Sequence, residues 1–183
     1  VIFGCVSQVA EQTFNIARNV VLDADLPFQV PATSVDFQCG SSQQAVHLAA
    51  AMVKSGQVDV VIAGGVESMT RVPMGSSIGD SGASPFTDNI MEVYNMIPQG
   101  VASDEIAAKW EISREALDTL GFNSHQRAWK ATEAGILQKE IAPIQGVDDE
   151  GNLITVDRDQ GIRPGTTLEK LGTLQPVFTA DGV

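Results

Sequence analysis

Cys39 stands inside VDFQCGSSQQAVHLAAAMVKSG, residues 35–56, between an apolar, β-prone run and a helix-like run whose one charge is Lys54. A thiol at such a junction meets the positive end of the helix dipole and backbone N–H groups without intrahelical acceptors. Both favour thiolate, and cysteines at helix N-termini reach pKa values of about 3.5–7.5. The same N–H groups could receive an oxyanion, and Gly40 would let a bulky substrate approach the backbone. The chemistry this supports is nucleophilic catalysis through Cys39. A cysteine in the same place can also be a small, inert core residue. Position alone leaves both readings open.

A catalytic cysteine usually needs a base. His47 is nearest in sequence, but eight helical residues at about 1.5 Å each put it about 12 Å up the axis, beyond hydrogen-bond reach. It reads as a packed or partly exposed helix histidine. His125, in the polar NSHQR segment, reads as solvated, with a ligand-facing role as the alternative. Neither makes a dyad with Cys39, so a base is expected from outside this chain. Cys5, within the apolar FGCVS run, reads as structural packing. The two cysteines form no metal-ligand pattern, and GGVE lacks the spacing and lysine of a phosphate loop.

The elements that must position Cys39 follow from periodicity. VIFGCVSQV is strand-like, and TFNIARNVVLDA carries Phe14, Ala17, Val20, Val21 and Ala24 at helical spacing. ATSVDF is the next strand, residues 39–55 a helix stopped at Gly56, and VDVVIA a β-branched strand of the doubly covered kind. Strand, helix, strand, helix, strand implies an α/β domain with parallel strands. The helix after Cys39 has no polar stripe wide enough to face water. It should therefore be buried on most sides, sandwiched between two sheets, with Met52 in the core. GGVESMTRVPMGSSIGDSGASPF reads as a loop. Beyond it, SDEIAAKW and SREALDTLGFNSHQRAWKATEAG read as amphipathic helices, with Ser103 and Ser113 as N-caps, Trp110 in the core and Gly135 as a stop. APIQGV, DDEGN and LITVDRD read as strand, turn and strand. TTLEKL opens a further helix, with Thr166 and Glu169 spaced as a capping box.

Composition narrows the function classes. The 183 residues are 43% hydrophobic, enough for one sizeable core or a core with an appendage. A net charge of −12 without a Lys/Arg cluster argues against nucleic acid as a partner. No apolar stretch is long enough to span a bilayer, so no membrane role is expected. Residues 1–98 carry three Lys/Arg and nine Asp/Glu, and residues 99–183 carry eight and fourteen, so the first part should be the more buried. The chain opens on Val1 inside a strand-like run and stops at TADGV, which fits a piece of a longer polypeptide. Two distant cysteines fit a reducing, cytoplasmic setting, with an organellar matrix as the alternative.

VPATSVDFQCGSSQQAVHLAA followed by SGQVDVVIAGGVESMTRVPMG resembles the thiolase family, the acetyl-CoA acyltransferases and acetyltransferases. SDEIAAKWEISREALD, SHQRA and GIRPGTTLEKLGTLQPVF resemble its loop domain, so the likeness runs through essentially the whole chain. It implies an α/β, layered thiolase-like fold, incomplete here: part of the N-terminal βαβαβ-type half in residues 1–85 and an α+β loop domain in 86–183. It implies that Cys39 carries the acyl group during CoA-dependent cleavage of a 3-ketoacyl-CoA, or during the reverse Claisen condensation. It places Arg163, in GIRPGTT, and Gln99 and Gly100 on the substrate side, with acyl-CoA and CoA as partners and no cofactor beyond CoA as co-substrate. A local cation suits a polyanion bound by an acidic protein; a surface role for Arg163 is the other reading.

Three departures matter. Ser42 stands where many members have glycine, in Cys-x-Ser-Gly. Where some biosynthetic members carry a His-Met pair, this chain has Pro98 and Gln99 before GVAS, which leans towards a degradative or broader acyl-chain role. The family's Asn-Glu-Ala-Phe, Gly-His-Pro and second-cysteine motifs are absent, so the residues here are expected to be inactive alone and to associate as a homodimer, as a homotetramer, or with a missing C-terminal half. A ketoacyl-synthase-like condensing enzyme and a non-catalytic assembly subunit are the alternatives.

Overall fold

The computed structural model describes residues 1–79 and 84–183. Two compact units divide the chain, Val1–Glu92 and Val93–Val183.

In the first unit, β1 (Ile2–Gly4), α1 (Ile16–Asp23), β2 (Thr33–Val35), α2 (Ser41–Lys54) and β3 (Ala63–Gly65) follow in the expected order. The three strands are parallel with β1 in the centre, in the order β2-β1-β3. Side chains alternate across the sheet, so its two faces take different helices. Ser34 Oγ accepts from the Ala17 amide at 3.3 Å, which places α1 on one face. Ile2 packs with Ala45 and Ala49 of α2 on the other, with Val35, Leu48, Met52, Val61 and Ala63 around them. The family-like α/β class is therefore present, and Met52 lies against the core as expected.

Four local expectations shift in this unit. Phe14 is 91% exposed with φ +59°, and α1 begins only at Ile16, because Asn15 caps it by accepting from the Arg18 amide. Ala17 and Val21 still form the buried stripe, while Ala24 lies past the helix end and is exposed. VDVVIA contributes only its last residue to a ladder: Ile2 pairs with Ala63, so residues 58–61 run past the end of β1 and have no partner strand. The largest correction concerns α2. It is covered on one face, where Ser41, Ala45 and Ala49 are buried, while Val46, Ala50 and Val53 are exposed. One three-stranded sheet can cover one side of a helix, and the described residues of this unit form no second sheet for the other. The expected loop over residues 64–86 loses Gly64 and Gly65 to β3 and is otherwise a loop in its described part, with a 3₁₀ turn at Ser76–Ile78; residues 80–83 lie outside the described residues.

After α3 (Asp88–Val93), the second unit holds α4 (Gln99–Lys109), α5 (Arg114–Glu133), the antiparallel hairpin β4 (Ile144–Val147) and β5 (Leu153–Val156), and α6 (Leu168–Gly172). Ser113 caps α5 by accepting from the Ala116 amide, and Gly135 ends it with φ +66°. Two other cap expectations fail by register. Ser103 lies inside α4, donating to the Gln99 carbonyl at 2.9 Å, since Pro98 at the N-cap starts the helix a turn earlier. Thr167, not Thr166, caps α6 by accepting from the Lys170 amide. Trp110 is exposed rather than core, with Lys109 Nζ 4.8 Å from its ring centroid. Among the described residues, Ala107 is the one fully buried apolar side chain of this unit, so the first unit is the more buried, as the charge distribution predicts.

Candidate functional site

The carboxyl ends of the three parallel strands meet the N-terminus of α2 around a cavity of about 410 Å³. Gly4, Cys5, Val6 and Ser7 enter it from β1, Gln38, Cys39, Ser41 and Ser42 from the β2–α2 junction, and Gly65, Val66 and Glu67 from β3. Clefts at the carboxyl edge of a parallel sheet are where α/β proteins bind ligands.

The β2–α2 junction is held by its own side chains. Asp36 Oδ1 accepts from the Gln38 amide at 2.8 Å. Ser41 Oγ accepts from the Phe37 amide at 2.9 Å and donates to the Gln38 carbonyl at 2.6 Å. These bonds hold Gln38 at φ +49°, a left-handed conformation that costs a non-glycine residue about 1–2 kcal/mol. Strain of this kind next to a reactive group marks a position the surroundings over-determine. Cys39, the next residue, lines the cavity and is exposed, not buried between layers as the sandwiched helix would require.

The Gly40 and Ser41 amides are spent within the turn, on the carbonyls of Phe37 and Gln38. The amides of Ser42 and Gln43 have no acceptor among the described residues, and Gly40 is the N-cap without a side chain to compete for them. α2 thus begins with open donors three and four residues after the thiol.

Glu67 braces the opposite wall. Its carboxylate accepts from the Val6 amide at 2.8 Å, the Ser7 amide at 3.1 Å and Gln12 Nε2 at 3.0 Å. Gln12 is buried, donates also to the Ser7 carbonyl at 2.8 Å, and accepts from the Ser68 amide at 2.8 Å. Partial burial opposes the Glu67 charge, but these hydrogen bonds outweigh it and hold its carboxyl below the usual range. Cys5 lies beside this cluster, 1% exposed, with Gln12 Nε2 3.6 Å from its sulfur. Burial pushes the Cys5 thiol up, and the Glu67 and Asp36 charges push it further. Cys5 therefore stays a neutral, packed thiol. Residue types alone did not single out Glu67, Gln12, Asp36 or Gln38; the signal available was an acid directly after Gly-Gly at a strand end.

Glu67 makes a stability prediction. Its folded pKa is depressed, so its stabilising contribution is present above the unfolded value of about 4.3 and is lost as pH falls through the folded value. Glu67→Gln should cost about 1–2 kcal/mol near neutral pH, discounted because the group is partly exposed. Urea unfolding midpoints of wild type and variant should converge as acidification protonates Glu67 in the folded as well as the unfolded state. A gap unchanged on acidification would show the charge is irrelevant.

The remaining candidates fall elsewhere. His47 is an exposed residue on α2, two turns along from Cys39. In the second unit, His125 Nδ1 accepts from the Arg163 amide at 3.2 Å, so it is neither free nor fully solvated. Arg163 is exposed and its guanidinium forms no ion pair among the described residues. Gln99 opens α4, and a Cβ on Gly100 would meet the Phe178 ring at 2.2 Å, so glycine there admits that ring. Among the described residues no cluster of three His, Cys, Asp or Glu could hold a metal, and no helix is long and apolar enough to cross a membrane.

Fold and site together define an α/β domain that presents a cysteine at a helix N-terminus over the carboxyl edge of a parallel sheet. The chain belongs to the thiolase family: residues 1–183 match the family model for the thiolase N-terminal domain. It is 43% identical over 176 residues to the 3-ketoacyl-CoA thiolase of Cronobacter sakazakii. It is 44% identical over the same length to proteins of that name from Escherichia coli O139:H28 and Klebsiella pneumoniae. Each alignment takes in 96% of this chain and 44% of the relative, so the chain spans about half the length of the curated relatives it matches.

Proposed function

We propose that this chain is the cysteine-bearing part of a thiolase-type acyltransferase acting on 3-ketoacyl-CoA. The observation that carries the reading is the exposed Cys39 thiol on the cavity at the N-terminus of α2, in a chain whose relatives are named 3-ketoacyl-CoA thiolases. The Cys39 thiolate adds to the keto carbon, and the bond between that carbon and C2 breaks. The electron pair leaves on C2 as the enolate of acetyl-CoA, which takes up a proton, and the shortened acyl group remains as a thioester on Cys39. The thiol of a second CoA gives its proton to a base and attacks that thioester, returning Cys39 as thiolate. The free amides at the start of α2 suit an oxyanion. Acyl-CoA and CoA are the partners, and no other cofactor is called for.

In this reading residues 86–183 are the loop domain, and Arg163, Gln99 and Gly100 lie on its CoA side. The base comes from a second half of the fold, and that half covers the open face of α2 within a homodimer or homotetramer.

The test is covalent trapping. The polypeptide carrying this chain, mixed with a 3-ketoacyl-CoA and quenched in acid, should yield a Cys39 peptide heavier by one acyl group and an unmodified Cys5 peptide. The same acyl group offered on a carrier protein should not label it. Labelling from the carrier alone would support the ketoacyl-synthase-like alternative, and no label on Cys39 from either donor would support the assembly-subunit reading.

A further inference from the structure

His125 and Gln126 are neighbours on α5, and each holds one backbone group of a single turn. His125 Nδ1 accepts the Arg163 amide at 3.2 Å, and Gln126 Nε2 donates to the Pro164 carbonyl at 3.1 Å. The turn closes on itself through the Thr166 amide and the Arg163 carbonyl at 3.1 Å. Pro164 restricts its own φ and disfavours helical backbone at Arg163. The backbone at 163–164 is thus fixed from both sides, while the Arg163 guanidinium is exposed and forms no ion pair among the described residues. A cation whose main chain is pinned and whose side chain is free is pre-organised for an anionic ligand, because the ordering cost falls on folding rather than on binding.

We propose that His125 is a positioning residue that holds the Arg163–Pro164 turn in register for the phosphates of coenzyme A. The proposal rests on the reading of Arg163 as a CoA contact given above. His125 touches neither the reacting carbon nor Cys39 and acts only through the Arg163 backbone. Losing one hydrogen bond that pre-organises a binding turn weakens the ligand about three- to tenfold, and it leaves chemistry at the thiol alone.

The experiment compares His125→Ala, His125→Asn and Arg163→Ala in the polypeptide carrying this chain. Its readouts are amide hydrogen exchange over residues 162–166, KM for CoA against kcat in thiolysis, and the rate of Cys39 alkylation. His125→Ala should speed exchange at the Arg163 amide and raise KM for CoA about three- to tenfold, with kcat and Cys39 alkylation near wild type. His125→Asn, whose side-chain carbonyl can stand in for Nδ1, should restore both. Unchanged exchange at Arg163 in His125→Ala would overturn the proposal, as would a fall in kcat at constant KM. A raised KM in Arg163→Ala but not in His125→Ala would overturn the role of His125 and leave the Arg163 reading intact. An unchanged KM in Arg163→Ala would overturn both.

Discussion

Gly4→Ala should destabilise the protein by at least about 3 kcal/mol, and no substitution at Ser42 should rescue it. A Cβ on Gly4 would lie 2.3 Å from both the Ser41 carbonyl carbon and the Ser42 nitrogen, and 2.7 Å from the Ser41 oxygen. All three are backbone atoms, so no rotamer change relieves the contact; the start of α2 must move off β1. Ordinary overpacking costs about 1–3 kcal/mol where side chains can shift, and here none can. Gly65→Ala makes the informative comparison. Its Cβ would meet Ser42 Oγ at 1.9 Å and the Gly4 carbonyl oxygen at 2.7 Å, so its worst contact is with a side chain. Adding Ser42→Gly should recover part of the Gly65→Ala loss and none of the Gly4→Ala loss. Denaturant midpoints of the singles and doubles check this. Equal rescue of both would mean that α2 is seated by its side chains rather than by backbone approach. Because Cys39 precedes α2 by two residues, Gly4→Ala should also alter the alkylation rate of Cys39.

That close approach shows what a sequence can and cannot disclose. The small residues around the cysteine were visible as letters, and Gly40 was read as easing substrate access. Gly4 and Gly65 lie 61 residues apart, and only the parallel register, which pairs them directly, reveals that both exist to admit one helix end. Local periodicity was enough for α1, α2, the β4–β5 hairpin and the Ser113 cap, since each is decided within a few residues. Burial was not. The apolar girth of α2 correctly signals a helix that avoids water, but which layers cover it depends on partners outside the segment. Trp110 and Phe14 failed for the same reason: an apolar letter reports affinity for a core, not the presence of one. Glu67 stayed hidden because its meaning lies in two amides and a glutamine more than 50 residues away. The family likeness was legible throughout, because it sits in contiguous motifs around Cys39 and Arg163.

The largest expected effect is on turnover. On the thiolase reading proposed above, Cys39→Ala in the polypeptide carrying this chain should lower kcat for thiolysis by at least about 10³-fold, since the proposed covalent route loses its nucleophile and keeps only binding and oxyanion contacts. Cys5→Ala should leave kcat within about threefold, because that thiol is buried, neutral and already bonded to Gln12. Residues 1–183 expressed alone should give a third result: Cys39 alkylates, since it is exposed on the cavity, but acetoacetyl-CoA is not cleaved in the presence of CoA. The reason is geometric. The second step needs a base to take the proton of the incoming CoA thiol. Of the two histidines, His47 is two turns along α2 from the cysteine and His125 is engaged with the Arg163 amide. Glu67 lines the cavity, but its oxygens accept three hydrogen bonds that favour the ionised form. A base with a pKa held low takes a proton from a thiol poorly. Steady cleavage by the isolated residues would show that one of these groups does serve, and loss of that cleavage in Glu67→Gln would assign the role to Glu67. Cleavage restored only when a second polypeptide supplying a histidine is added would place the base there.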